Sequence, residues 1–362
     1  MFSPADQPHF TLTLAGADFQ VLAFKGREAL NMPFVFDLEL VSERAFLDLE
    51  KLLHTQAFLR ISASGTGIHG QVYSISRGEA GRRLTRYHLS LRPHLSYLAH
   101  RVNQRIFQQK TVRQIISQVL EEHGILACDY KFQLSATYPE RVYCVQYDES
   151  DLTFIQRLCE EEGIHFHFEH RPDAHLLVFG DDQTIFPKLA PVPYQQDTGL
   201  VADTPVVKRF GMRLATRTTR VTRRDYDFTK PRIELQSDAK SKALPDLEDY
   251  DYPGRFVDRE RGTHLANRNL ERHRTDYQLA KGKSDQPLLV SGHFLPLTDH
   301  ANATWNDLWL LTEITHHGKQ PQVLEESVTS DVTDSKDDFH QGYRNTFSAI
   351  PWDVPYRPPL KN

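Results

Sequence analysis

The chain has 362 residues, 25% of them charged, with a formal net charge of -5 and a mean hydropathy of -0.52. That length accommodates about two to four compact domains, and the acidic balance argues against a dedicated nucleic-acid binder. No stretch approaches the ~18 consecutive apolar residues of a membrane span. Pro4, Asp6 and Pro8 stand where a signal peptide needs a basic start and an apolar run, so synthesis and folding in the cytoplasm are expected.

Taken in chain order, residues 1–100 read as β. Phe34, Phe36, Leu38 and Leu40 alternate with Asp37 and Glu39, the period of two that marks a strand with one buried face. Leu12 and Leu14, the run 19–24, the segment 71–75 and the alternation Tyr87, Leu89, Leu91 continue it, with turn residues at 77–81 between strands. A small antiparallel barrel or sandwich fits this pattern. Thr111 then caps a predicted helix with apolar positions Val112, Ile115, Ile116, Val119 and Leu120, stopped by Gly124. A second helix is predicted from Ser150 or Asp151 to Gly163, burying Leu152, Ile155, Leu158 and Cys159. Strands at 164–168 and 176–179 complete an α+β unit, and the Pro-rich run 187–193 marks its boundary. Strand character returns at about 200–236. A polar stretch, 236–251, is followed by a charged helical segment, 259–277, and strands resume at 287–290 and 307–315. Residues 325–342 read as a mobile acidic loop, and the Pro-rich tail from 351 reads as a linker. No internal repeat is visible at the level of residues.

A search for chemistry finds little. There is no Gly-x-Ser-x-Gly elbow, no Walker loop, no Gly-x-Gly-x-x-Gly and no HExxH. His165 and His167 would share one strand face and, with a third ligand, could hold zinc for a metal-dependent hydrolase. The competing reading makes them the polar face of a half-exposed strand. Glu160, Glu161 and Glu162 diverge around a helix and read as a solvated end. Arg213, Arg217, Arg220, Arg223 and Arg224 form a basic stripe, read as an ionic subunit interface or a solvated strand face. Cys128, Cys144 and Cys159, an odd number without a CxxC, read as buried free thiols. No catalytic, cofactor-binding or metal site is assigned.

Several stretches together resemble the N-terminal, hub-like region of the VgrG family, the spike proteins of type VI secretion. They are the 26–30 run leading into the strand at 34–40 and the 105–108 run before the first helix. The most specific covers 146–164, with Glu149, Ser150, Asp151, Leu152, Arg157, Glu161 and Gly163. Three more follow: Asp225-Tyr226 with Pro231, the Tyr250–Gly254 run containing Tyr252, Pro253 and Gly254, and the 343–358 run with Asn345 and Pro351. These motif residues are read as structural or interface positions.

The resemblance implies a β-rich α+β fold like the contractile-phage baseplate hub, with two related antiparallel β-barrel domains and smaller α/β modules between and beside them. It divides the chain into a first barrel (1–100), an α+β domain (101–190), a second barrel (191–236 and 285–362) and a polar helical insertion (237–284). It also implies a homotrimer, with two barrels per chain giving six similar units to meet a hexameric, Hcp-like tube. Baseplate components and effector or tip proteins are the other implied partners. Neither nucleic acid nor stable membrane insertion is implied. Complete family members continue past such a Pro-rich tail into an oligonucleotide-binding-like barrel and a β-prism tip. On this reading the chain is the non-enzymatic base of the spike, assembled in the cytoplasm and then translocated without a signal peptide. The alternative of the same class is a phage or phage-like tail hub.

Overall fold

Phe34, Phe36, Leu38 and Leu40 are buried while Asp37 and Glu39 are exposed, so the alternation at 34–40 folds as a half-buried strand. The computed structural model describes residues 10–81, 83–196, 204–324 and 339–360. Its first part comprises β1 (Thr11–Leu14), β2 (Gln20–Ala29), β3 (Met32–Ser42), α1 (Leu49–Leu52), β4 (Gln56–Arg60), β5 (Gly67–Ala80) and β6 (Thr85–Arg92). The strands form a ring in the order β1-β4-β5-β6-β3-β2, closed by the pairing Thr11↔Gln20 between β1 and β2. This is a six-stranded antiparallel barrel, and closure leaves few raw edges.

An α+β module follows: β7 (Val102–Lys110), α2 (Val112–Glu122), β8 (Tyr130–Gln133), β9 (Arg141–Ser150), α3 (Asp151–Glu162), β10 (His165–His170) and β11 (His175–Gly180). β10, β11 and β8 make one sheet, and β7 and β9 a two-stranded ribbon. Thr111 caps α2 through a capping box with Gln114, and the five predicted apolar positions of that helix are buried. The module shares one hydrophobic core with the barrel, running from Phe10 to Phe179.

The remaining elements are β12 (Val192–Pro193), β13 (Val207–Leu214), β14 (Arg220–Asp225), β15 (Leu235–Lys240), β16 (Glu248–Asp251), α4 (Arg259–Arg274), β17 (Gln278–Ser284), β18 (Phe294–Thr298), β19 (Leu308–Lys319) and β20 (Gly342–Pro351). Six of them form a second ring, β12-β18-β19-β20-β17-β13, which an isolated bridge between Tyr194 and Val207 closes. Lettered a to f in chain order, the strands of both rings follow the circuit a-d-e-f-c-b. The exception to equivalence is direction: β1 runs antiparallel to β4, whereas β12 runs parallel to β18. The duplication that no residue pattern revealed is therefore plain in the strand order. The rings are fused where β2 pairs antiparallel with β19 from Ala23↔Lys319 to Ala29↔Glu313.

β14, β15 and β16 form a separate sheet, with α4 packed on it through Val221, Ala239 and Ala266. Strand pairing thus groups 220–274 as one inserted unit between strands b and c of the second ring, whereas the sequence reading began the insertion at 237 and ended it at 284. The reason is small side chains. Ser237 and Ala239 in β15, and Ala280, Gly282 and Ser284 in β17, face inward without giving an apolar signal. The strand expected at 287–290 is absent, and the chain first pairs at β18. Of the acidic loop expected at 325–342, residues 325–338 lie outside the described residues. The tail is not a loose linker over its described length. Tyr356 and Arg357 are buried, and Tyr356 packs with Leu30, Phe186, Phe294, Leu310 and Ile350.

Candidate functional site

Helix α3 packs against α2, α4 and β9, and both its ends are built from the motif residues. At its start, the Ser150 hydroxyl accepts from the Thr153 N–H at 3.1 Å, the N-cap that the sequence predicts. Asp151 is fully buried. It accepts from Gln146 Nε2 at 2.8 Å, His123 Nε2 at 2.7 Å, Arg105 Nη2 at 3.3 Å and also from Arg101 Nε. Burial alone would push its carboxyl up, but the hydrogen bonds from Gln146, His123 and Arg101 outweigh it and hold the group below the usual carboxylate range. Leu152 packs against the shared core. One turn on, Arg157 donates to Glu149 at 2.6 and 3.1 Å and to Glu161 at 3.0 Å, locking the helix to the end of β9.

At the other end the sequence reading needs correcting. Glu160 and Glu162 are buried, so the acidic run is no solvated helix end. Glu162 Oε1 accepts from Arg141 of β9 and from Arg261 of α4, both at 2.6 Å, while Glu161 accepts from Arg141 at 2.9 Å. Three elements thereby meet on one helical turn. Gly163 ends the helix with φ of 73°, the left-handed C-cap. Its carbonyl accepts from Arg357 Nη1 at 3.2 Å, and the same guanidinium reaches the Asp181 carbonyl at 2.8 Å and Glu271 of α4 at 2.6 Å. Arg272 of α4 donates to the Glu160 and Pro358 carbonyls, and burial lowers its pKa to about 10. The α+β module, the insertion and the tail are thus joined through α3. Sequence reasoning missed the arginine half of this joint, Arg101, Arg105, Arg141, Arg261, Arg272 and Arg357, because the partners are far apart in the chain.

The other motif residues lie elsewhere. Asp225 accepts from the Phe256 N–H at 3.2 Å, and the Gly254 N–H donates to the Arg224 carbonyl at 2.8 Å. A Cβ on Gly254 would come within 2.6 Å of the Phe256 ring. Pro253 stands beside this turn, with Tyr226 and Tyr252 on either side exposed to solvent. Asn345 is buried in the second barrel, its side chain donating to the Gln286 carbonyl at 2.9 Å, and Pro351 ends β20 opposite Trp309. These residues do not converge with the α3 joint on one cleft.

His165 and His167 are buried in β10, not on a half-exposed face. Phe186 stacks on His165, with ring centroids 4.4 Å apart, and the His167 ring nitrogens have no hydrogen-bond partner. Among the described residues, no three His, Cys, Asp or Glu side chains are grouped to hold a metal ion. The arginine stripe is divided between β13, β14 and their connection. Arg213 and Arg217 pair with Asp276, Arg220 with Asp246 and Glu248, Arg223 with Asp251, and Arg224 with Glu234, so these charges are met within the chain. Cys144 and Cys159 are buried, but Cys128 is exposed.

The profile of the phage tail baseplate hub (GPD) family matches residues 27–322. The type VI secretion system spike protein VgrG4b of Pseudomonas aeruginosa is 64% identical over 369 residues, covering 100% of this chain and 46% of that protein. The chain therefore spans about half the length of the curated relatives it matches. Among solved structures, an Escherichia coli protein described as a component of the type VI secretion system, structurally similar to the phage T4 tail proteins gp27 and gp5, superposes with a TM-score of 0.72. It is 24% identical, over 97% of this chain and 80% of its own. The 43 kDa tail protein of prophage MuSo2 from Shewanella oneidensis superposes with a TM-score of 0.65 at 14% identity, over 96% of this chain and 99% of its own. At these identities the likeness speaks for the fold.

Proposed function

Because the chain belongs to the phage tail baseplate hub family and matches the VgrG spike proteins along its whole length, we propose that it forms the hub of a type VI secretion spike. Three copies build a ring that docks on a hexameric tube, supports the piercing tip and carries effector cargo. The observation that carries this reading is the repeated strand circuit a-d-e-f-c-b. A threefold object made of duplicated barrels offers six near-equivalent units, the number a sixfold tube requires. The hub works by transmitting load and has no catalytic residue. In support, the motif carboxylates Glu149, Asp151, Glu161 and Glu162 are committed to arginine partners that tie elements together. Assembly takes place in the cytoplasm, and sheath contraction then translocates the spike without a signal peptide.

Light scattering over a range of concentrations tests the reading. Three copies of a 41.8 kDa chain weigh about 125 kDa, and that mass, with retention on purified tube rings, is expected. A species that neither exceeds the mass of one chain nor binds tube rings would overturn it.

A further inference from the structure

The shared strand circuit sets the two barrels in correspondence residue by residue. Strand b is bulged at the same place in each, between Val21 and Ala23 in β2 and between Val207 and Arg209 in β13. Counted from the bulge, Ala23 corresponds to Arg209, and its partner in strand c, Glu39, corresponds to Lys283. Two residues away along strand c, Asp37 corresponds to Lys281. All four of these strand-c side chains are exposed on the outer face of the sheet. That face is hollowed into a groove over strands b, c, f and e of each barrel, about 480 Å³ in the first and about 460 Å³ in the second. The fold thus repeats the groove and reverses its charge.

In the first groove the charge is met inside the sheet, with Lys25 directly opposite Asp37 and His88 directly opposite Glu39. In the second, Arg209 lies directly opposite Lys283, and Lys281 is opposite Gly211. Like charges directly opposite on one face of an antiparallel pair are destabilising. The barrel does not require them, since the twin positions carry Ala23 and Glu39. The neighbouring carboxylates are engaged elsewhere, Glu313 with Arg27 at 2.7 Å and Asp285 with Lys208 at 2.8 Å. Among the described residues, Arg209, Lys281 and Lys283 have no ion-pair partner. From Lys283 the row continues through two hydroxyls, Thr346 and Thr315. We propose that this groove is a docking site for an acidic, extended segment of a partner protein, whose carboxylates supply the counter-charge that the sheet lacks. Lys281 and Lys283 are two residues apart on one strand, about 6.8 Å. Alternate side chains of an extended acidic segment have the same spacing, so two carboxylates of one segment reach both ammonium groups. A nucleic acid fits less well, because the one aromatic residue lining the groove, Phe347, is buried in the barrel and offers no face to a base. The inference concerns the single chain. In a hub of three copies the basic groove would stand on alternate barrels, which matches a partner other than a tube that meets all six alike.

The probe is a labelled peptide of alternating Glu and Thr, read by fluorescence anisotropy on the full chain, with a Lys and Thr peptide and an oligothymidine of equal length as controls. Saturable binding of the acidic peptide is expected at low ionic strength, weakening as salt is added. The double variant Lys281→Glu with Lys283→Glu is expected to bind it at least about tenfold more weakly. That variant turns the repulsion between Arg209 and position 283 into an opposite-charge pair, so it is expected to fold with an unchanged or higher Tm. Asp37→Asn with Glu39→Gln, in the twin groove, is expected to leave the affinity unchanged. Absence of saturable binding, or a charge-reversed variant that binds as tightly as the parent, overturns the proposal. Oligothymidine binding more tightly than the peptide, and lost in the same variant, overturns the polypeptide partner in favour of a nucleic acid. Light scattering of the same samples separates this inference from the hub reading: a trimer that does not bind the acidic peptide overturns the docking site and leaves the hub standing.

Discussion

His69, His165 and His167 are buried, and His170, His175 and His293 half-buried, at the seam between the first barrel, the α+β sheet and the second barrel. Burial lowers His165 and His175 to about 4 and His170 to about 3, and pushes His167 well below its ordinary value. Their surroundings add little help. His167 faces His165, His293 and Lys131, and His170 faces His175, His69 and His293, while Asp181 and Asp182 near His165 and Asp129 near His175 oppose the shift without cancelling it. Because the folded pKa lies below the unfolded value of about 6.5, the unfolded chain takes up protons first. Stability from these rings is complete above about pH 7.5 and falls through the window from 6.5 to 4, before most carboxylates titrate. One pKa unit is worth about 1.4 kcal/mol, so several such rings remove several kcal/mol. Thermal denaturation is expected to show a Tm at pH 5 well below that at pH 7.5. Equal values would mean that the rings gain protons in the folded state. Sequence alone showed the histidine count but not its placement. Alternation with Phe166 and Phe168 looks the same whether the polar face of a strand meets water or a second barrel.

At the scale of elements, what was legible was local. The caps of α2 and α3 and their buried stripes depend on residues within one or two turns, and Thr111, Ser150 and Gly163 occupy the positions that local chemistry assigns them. The joint built on α3 was not legible, since Glu162 finds Arg261 at a separation of 99 residues and Gly163 finds Arg357 at 194. β15 and β17 were hidden for another reason: apart from Leu235, their buried positions are Ser, Ala and Gly, whose side chains leave no hydrophobic period. Gly163 links the local and distant parts, and it carries the prediction at this scale. A Cβ there would sit 3.0 Å from Arg268 Cδ and 3.1 Å from Arg357 Cδ, in a backbone conformation of φ 73°. The left-handed conformation alone costs a residue with a Cβ roughly 1–2 kcal/mol. Gly163→Ala is therefore expected to lower the unfolding free energy read from urea denaturation by about that amount or more, with faster hydrogen exchange in the tail around Arg357. A variant as stable as the parent would mean that the helix end relaxes and that the joint tolerates movement.

For the whole molecule the decisive contact is the ladder between β2 and β19, which makes the two barrels one continuous sheet. Gly318 lies on that ladder opposite Phe24. A Cβ on Gly318 would stand 2.1 Å from the Phe24 ring, and Phe24 also packs edge-on against Phe10 at 5.1 Å between centroids. Glycine at this position lets the ring of one barrel lie across the strand of the other, so the barrels share aromatic packing as well as hydrogen bonds. In the role proposed above, such fusion would keep the two halves from shearing under load, since separate domains joined by a small interface move relative to one another by default. The fused sheet predicts that both barrels melt together, in a single calorimetric transition. Gly318→Val should force Phe24 out of place, at a cost of about 1–3 kcal/mol for overpacking, and should split or broaden the transition as the barrels lose their common edge. If the variant kept one sharp transition at the parent temperature, the ladder would not be what couples the barrels, and the α3 joint would become the element to cut next.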